Sequence, residues 1–145
     1  MSYYTASGSL RWPQPGPSDV PSYQLSAIPF VTTSQAGTVS PLVIEFPNTT
    51  RWVQIINTSG ATGDPLHIGF TENGVSGNPD DYRFSLPFAA GANSTARWEL
   101  RVSKMYFLAD TNPVNFSLIA GLSPVPSRYF DDITGSLGGV YGGIG

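Results

Sequence analysis

Apolar and polar residues alternate in short runs through the middle of the chain. Within residues 98–102, the apolar side chains of Trp98, Leu100 and Val102 fall on one side and two charged side chains fall on the other. A period of two residues is typical of a β-strand that buries one face. The hydrophobic pattern therefore predicts strands in this part of the chain.

Eight runs rich in β-branched and aromatic residues recur between residues 23 and 121, each bounded by Gly, Pro, Asn or Asp. No segment combines a helical period with capping residues, because Pro and Gly interrupt every longer window. We therefore predict an all-β fold with eight strands: Tyr23–Thr32, Val39–Phe46, Arg51–Asn57, Leu66–Thr71, Tyr82–Phe88, Ala96–Val102, Lys104–Ala109 and Val114–Gly121.

Short strands at a spacing of roughly 8–12 residues are typical of a β-sandwich or barrel. Eight strands fit a single jelly roll, in which two four-stranded antiparallel sheets pack face to face and so protect their edges. The alternative is a nine-stranded immunoglobulin-like sandwich. That fold is less well supported because the chain lacks its Cys…Trp…Cys frame.

An extended N-terminal arm, residues 1–22, precedes the predicted jelly-roll domain of residues 23–121. Prolines 13, 15, 17 and 21 prevent a helix there and favour polyproline geometry. The arm also contains Tyr3, Tyr4 and Trp12, which a simple spacer does not need. It either packs back on its own domain or places these aromatic residues on a neighbouring subunit.

A second extended arm, residues 122–145, follows the domain. It ends in a glycine-rich stretch in which single apolar residues such as Leu137, Val140 and Tyr141 are interspersed. Glycine permits close backbone approach to another surface, where the apolar side chains would act as anchors. The alternative is a flexible tail, although a flexible linker has no use for apolar residues.

Charge is scarce in this chain of 145 residues, since 12 % are Asp, Glu, Lys or Arg against roughly 25 % in an average soluble domain. The net charge of -3 and the single lysine, Lys104, argue against a nucleic-acid binder. The absence of cysteine excludes disulfides and thiolate metal sites. The sequence also shows neither a signal peptide nor a long apolar run, so we expect no membrane insertion.

Few residues suggest catalysis or metal binding. His67 is the single histidine, which leaves no second histidine or cysteine for a zinc site. The loop of residues 72–81 offers oxygen ligands for calcium, but it lacks the EF-hand spacing, and a solvated turn is the better explanation of its composition. The carboxylates of Asp80 and Asp81 are adjacent on extended chain and point apart. We expect no enzymatic activity, no cofactor and no bound metal.

Three stretches carry a resemblance to a known family. They are WVQIINTSG (residues 52–60) continuing to LHIGFTENGV (66–75), then WELRVSKMYF (98–107), and then FSLIAGL (116–122), with Tyr129-Phe130 and ITGS (133–136) after it. Together they resemble the penton proteins of nucleocytoplasmic large DNA viruses, over roughly residues 51–136. No catalytic signature belongs to the similarity.

The resemblance implies a single jelly-roll subunit without enzymatic activity, located in the virion. Five copies would form the homopentameric capsomer at each five-fold vertex of an icosahedral capsid assembled in the host cytoplasm. Trimers of the double jelly-roll major capsid protein would surround this penton, and minor capsid proteins would lie beneath it.

Jelly-roll topology would gather the connecting loops at two ends of the domain. Loops 33–38, 58–65, 89–95 and 110–113 form one end, rich in small neutral residues, which we expect to crowd the five-fold axis on the outer side. The other end collects residues 47–50, 72–81 and 103. The interface residues that we predict come from this first end and from both arms: Tyr3, Tyr4, Trp12, Gly60, Ala61, Gly63, Ala90, Gly91, Tyr129, Phe130, Leu137, Val140 and Tyr141.

Two other function classes fit an all-β domain. One is a β-sandwich carbohydrate-binding or receptor-binding head, in which aromatic side chains such as Trp12 and Tyr82 would stack on sugars. Trp52 and Trp98 fit the apolar positions of strands and are expected in the core. The other class, a small jelly-roll enzyme of the cupin type, would need several histidines.

Overall fold

The computed structural model describes residues 27–60, 64–77, 82–89 and 92–129. These residues form seven strands and almost no helix, so the predicted all-β class is confirmed. The elements are β1 (Ile28–Ala36), β2 (Leu42–Glu45), β3 (Asn48–Asn57), β4 (Leu66–Gly69), α1 (Glu72–Ser76), β5 (Phe84–Leu86), β6 (Lys104–Ala109), β7 (Val114–Pro126) and a 3-10 turn at Ser127–Tyr129.

The strands form two antiparallel sheets. One has the order β1-β7-β3 and the other the order β2-β6-β4-β5. From β1 to β4, each step along the chain moves to the opposite sheet, and β4 and β5 then pair as neighbours. Between β5 and β6 the chain passes along the edge of β3, and it then returns to the four-stranded sheet.

The segment of residues 93–102 follows the free edge of β3 without forming a regular strand. It contains two isolated antiparallel bridges, Ile56 to Ser94 and Val53 to Trp98. Val53 and Trp98 exchange both backbone hydrogen bonds, with N···O distances of 2.9 and 2.8 Å. The strand predicted over residues 96–102 is thus present as a bridged edge segment, and the sheet it joins has three regular strands.

The side chain of Thr50 explains why this edge segment is irregular. Its hydroxyl donates to the carbonyl of Leu100 at 2.6 Å and accepts from the N–H of Val102 at 3.0 Å. β3 also shifts register against β7 between Thr50 and Trp52. A side chain therefore satisfies backbone groups that a regular ladder would have paired with backbone.

The core lies between the two sheets. At its centre, Phe107 of β6 stacks on Phe116 of β7, with ring centroids 4.4 Å apart and an interplanar angle of 23°. Both rings are fully buried, and side chains from the other strands surround them. Those most deeply buried include Ala36, Val53, Ile55, Leu66, Ile68, Met105, Val114 and Leu118.

In the described residues, β6 has both of its predicted bounds and the other strands differ. β3 starts at Asn48, so most of the loop predicted over residues 47–50 belongs to this strand, and β2 and β4 are shorter than predicted. β1 continues to Ala36 instead of ending at Thr32, and β5 is reduced to three residues because Pro87 follows Leu86. β7 runs past Gly121 to Pro126, although Pro124 was expected to stop it. In the described residues, β1 pairs with β7 as far as Leu122, whereas the pairing of β3 with β7 extends to Pro126.

The helix α1 was not predicted, because it is a single turn. Thr71 caps it, with its hydroxyl accepting from the N–H of Gly74 at 3.0 Å, and Gly77 ends it with a φ of 72°. Thr and Gly are common capping residues, and both were visible in the sequence at these positions. A helix of five residues is, however, too short to show a helical period of apolar positions. No helix in the described part of the chain is long and apolar enough to cross a bilayer.

Gly69 lets α1 pack closely against β4. A Cβ atom at this position would lie 2.8 Å from the Cβ of Val75 and 3.2 Å from its Cα.

We therefore expect Gly69→Ala to lower the free energy of unfolding by about 1–3 kcal/mol, because the helix must move. Gly37→Ala is the matched control, since nothing lies within 4 Å of its Cβ position. Equal urea midpoints for the two variants would contradict the close packing.

Candidate interaction surfaces

One end of the sandwich, here called the Gly60 end, collects residues 37, 57–60, 64, 93 and 112. The N–H of Ala109 donates to the carbonyl of Gly37 at 2.8 Å, which holds the connection between β1 and β2 against the end of β6. The amide of Asn112 donates to the carboxylate of Asp64 at 2.9 Å and so joins two more connections. This grouping agrees with the predicted first set of loops.

Asn57 is the polar centre of the Gly60 end. Its side chain is fully buried, and its amide donates to the carbonyls of Asp64 at 3.3 Å and Leu86 at 3.2 Å. Its side-chain oxygen accepts from the N–H of Ser59 at 3.1 Å. Asn57 and Asn93 are also joined, because the Asn57 N–H donates to the Asn93 carbonyl at 2.7 Å. The side chain of Asn57 thus joins the connection between β3 and β4 to the end of β5, and its backbone joins residue 93.

Two of the thirteen predicted interface residues lie in the described part of the chain. Gly60 is exposed and has a φ of 69°, a conformation that glycine adopts without steric cost. Tyr129 is exposed at the opposite end, with the guanidinium carbon of Arg128 5.1 Å from its ring centroid. The structure therefore does not bring these two together. The other predictions lie outside the described residues: Tyr3, Tyr4, Trp12, Ala61, Gly63, Ala90, Gly91, Phe130, Leu137, Val140 and Tyr141.

The outward-facing positions of β1, β7 and β3 form a surface without charged side chains, here called the neutral face. Val31 of β1 pairs with Ile119 of β7, which pairs in turn with Gln54 of β3. Val31 is 68 % exposed and Ile119 is 38 % exposed. The full set is Pro29, Val31, Thr33, Gln35, Trp52, Gln54, Ile56, Asn115, Ser117, Ile119 and Gly121.

Trp52 covers Gly121 at one corner of the neutral face. Its indole ring lies across Gly121 of the neighbouring strand, where any Cβ atom would overlap the ring. The guanidinium carbon of Arg97 lies 5.9 Å from the ring centroid, within cation–π distance. Trp52 was expected in the core, but it is half-buried on the outer surface of the three-stranded sheet.

A groove opens at the flank of the sandwich between β5 and the edge segment, and is here called the flank groove. Its volume is about 670 Å³, and its walls are Ile68, Phe70, Tyr82, Phe84, Trp98 and Leu100. The rings of Phe84 and Trp98 meet edge to face, with centroids 5.2 Å apart. This volume is within the range of roughly 300–1,000 Å³ that is typical of ligand sites.

Charged side chains form the rim of the flank groove. Arg97 and Glu99 are joined at 2.6 Å and are both well exposed, and Arg83 donates to the carbonyl of Val75 at 3.2 Å. Leu86 of β5 is buried. Phe84 of the same strand is 50 % exposed and forms part of the groove wall.

His67 is buried on the outer side of the four-stranded sheet, at 5 % exposure. Its Nδ1 lies 2.8 Å from the hydroxyl oxygen of Ser85, which faces it across the β4–β5 pair. The sequence placed His67 on the polar side of its strand, and this contact with Ser85 was not predicted. In the described residues, no three His, Asp or Glu side chains are grouped closely enough to hold a metal ion.

Comparison of the sequence with known protein families and with curated proteins gives no match. The surfaces described above are therefore interpreted from their own geometry and chemistry. The neutral face, the Gly60 end and the flank groove are three separate candidate regions for contact with other molecules.

Proposed function

We propose that this chain is a single jelly-roll subunit. The sheet orders β1-β7-β3 and β2-β6-β4-β5 are consistent with a jelly roll if the edge segment is counted as the fourth strand, beside β3. The two bridges of that segment to β3 support this assignment. An immunoglobulin-like sandwich is less well supported, since its sheets do not contain these strand neighbours.

Jelly rolls serve as viral capsid proteins, lectins and cupins. Our proposal is a structural capsid protein without enzymatic activity, forming the homopentamer at the five-fold vertices of a large icosahedral DNA virus. Major capsid protein trimers would surround it, and minor capsid proteins would lie beneath. The sequence resemblance to penton proteins first pointed to this role.

The neutral face is the observation that carries the proposal. A free surface normally displays charge for solubility, whereas the central parts of protein interfaces are depleted of charged residues. The outward positions of three strands lack charge, and both Val31 and Ile119 are exposed there. A five-fold ring requires one surface of a subunit to meet a different surface of the next, and the neutral face fits such a contact.

The Gly60 end is proposed to surround the five-fold axis on the outer side. Its connections are short and held together by Asn57, and Gly60 has nothing within 4 Å of its Cβ position. Small residues at this end would let five copies meet closely. Density that places the Gly60 end on the inner side of a capsid would reverse this orientation.

Charge placed on the neutral face should prevent incorporation into particles. We expect the Val31→Lys, Ile119→Lys double variant to fold normally, because both side chains are exposed, and to enter particles at least about tenfold less, equivalent to about 1.4 kcal/mol. Particles purified from cells expressing tagged variants would be measured by immunoblot. Val43→Lys is the control, since Val43 is 42 % exposed on β2 of the four-stranded sheet and lies outside the neutral face and the Gly60 end. Equal incorporation would contradict the proposal.

A carbohydrate-binding or receptor-binding head is the second candidate, and the flank groove favours it. Aromatic side chains that line an open groove, as Tyr82 and Trp98 do, are suited to stacking on sugar rings. Glycan binding by the isolated protein, lost in Tyr82→Ala, would support this alternative.

A further inference from the structure

We infer that the flank groove receives the proline-rich segment of residues 11–17, Arg-Trp-Pro-Gln-Pro-Gly-Pro, from a neighbouring copy of this chain. The assignment of the segment to a neighbouring copy rests on the proposed ring, whereas binding of the segment in the groove does not.

The chemistry of the groove matches this occupant. Extended proline-rich peptides bind in grooves lined by aromatic side chains, because their backbone is already ordered and little entropy is lost. Phe84 and Trp98 form such a wall, with Tyr82 beside them. The segment carries prolines at every second position, 13, 15 and 17, and one indole ring at Trp12.

The rim of the groove also suits the segment. Glu99 is well exposed and forms an ion pair with Arg97, so its carboxylate can accept a second guanidinium. Arg11 precedes the prolines and supplies that group. An interaction of this kind at an exposed rim adds orientation more than affinity.

The topology favours a neighbouring copy over the same copy. β1 lies at one edge of the three-stranded sheet, whereas the edge segment and β5 lie at the opposite flank. In a head-to-tail ring, two different surfaces of consecutive subunits meet, so a segment that leaves one copy near β1 can reach the groove of the next copy. The ten residues from Pro17 to Ala27 span about 31 Å at ~3.1 Å per residue, which is enough to cross such a contact.

A peptide titration tests the groove independently of any ring. The full chain would carry Trp12→Ala, Pro13→Ala and Pro15→Ala so that its own segment does not compete, and a labelled peptide of residues 9–19 would be titrated by fluorescence anisotropy. We expect saturable binding, weakened at least about tenfold by Phe84→Ala and by Tyr82→Ala, and unchanged by Val39→Ala. Both groove residues are partly exposed, and circular dichroism would verify the fold of each variant.

Other outcomes of the titration would overturn the inference. They are an absence of binding, equal binding by all variants, and equal binding of a peptide whose three prolines are replaced by alanine. Binding of neutral oligosaccharides that Phe84→Ala abolishes, without peptide binding, would also overturn it and would assign the groove to sugars.

Cysteine cross-linking tests which copy supplies the segment. The chain has no cysteine, so Gln14→Cys with Glu99→Cys introduces the two reactive positions alone. In assembled particles, we expect a bismaleimide to produce a ladder of linked chains that ends at five. Gln14→Cys with Val43→Cys is the control and should give no ladder, because β2 lies at the edge of its sheet opposite β5 and the flank groove. A link within one chain, or no link, would overturn transfer between copies, whereas a ladder extending beyond five would retain it and overturn the five-fold ring.

Discussion

Replacing Phe116 by alanine should lower the free energy of unfolding by about 3–5 kcal/mol, a large part of the roughly 5–15 kcal/mol that stabilises a typical domain. The ring is fully buried in the central strand β7 and stacks on Phe107 of the opposite sheet. Its removal therefore leaves a cavity between the two sheets, where neither backbone can move inward. Urea unfolding followed by circular dichroism measures the change.

The same deletion at an exposed aromatic position is the control for Phe116. Phe84→Ala removes an equal number of atoms from a ring that is half exposed, so it should cost about 1–1.5 kcal/mol or less. A double-mutant cycle between Phe107 and Phe116 should also show a coupling of about 0.5–1.5 kcal/mol from the stacked rings. Equal losses for Phe84→Ala and Phe116→Ala would contradict the central position of Phe116.

Replacing Asn57 by leucine should cost about 3 kcal/mol. Leucine has a similar shape, but it leaves the carbonyl of Leu86, the carbonyl of Asp64 and the N–H of Ser59 without their side-chain partner. Each buried polar group that loses its hydrogen-bond partner costs about 1–3 kcal/mol. A group near the surface costs less, because water replaces the lost partner. The free energy of unfolding from urea titration measures the loss.

Asn115→Leu is the matched control for Asn57, because Asn115 is exposed on β7 near the same end and its contact with Thr58 uses its backbone carbonyl. We expect this change to stay within about 0.5 kcal/mol. Asn57→Leu should also increase hydrogen exchange in residues 58–60 and 64. Unchanged exchange there would contradict the role of Asn57 in fixing the connection between β3 and β4.

The hydrophobic pattern predicted the class of the fold because the core side chains recur with a strand period. The segment of residues 98–102 shows the limit of that signal. Trp98 and Leu100 are half-buried and Val102 is buried, as the alternation predicted, yet the segment is joined to β3 by bridges and by the Thr50 hydroxyl. Periodicity records which side chains face inward, whereas a register shift in the partner strand decides which backbone groups pair.

The surfaces depend on the arrangement of strands, which a single sequence does not determine. The neutral face combines β1, β3 and β7, which are distant in sequence, and Gly121 had no predicted link to Trp52. The flank groove likewise joins residues near Phe84 to residues near Trp98. The composition shows that charged residues are scarce. The structure adds that the outward-facing positions of β1, β3 and β7 carry none of them.

The most direct test of the proposed function is electron cryomicroscopy of the virus particles to which the proposal assigns this chain. The account predicts that the two sheets β1-β7-β3 and β2-β6-β4-β5 fit the density at each five-fold vertex in five copies, with the neutral face against a neighbouring subunit. Vertices built from a different fold, or this chain located away from the five-fold axes, would contradict it.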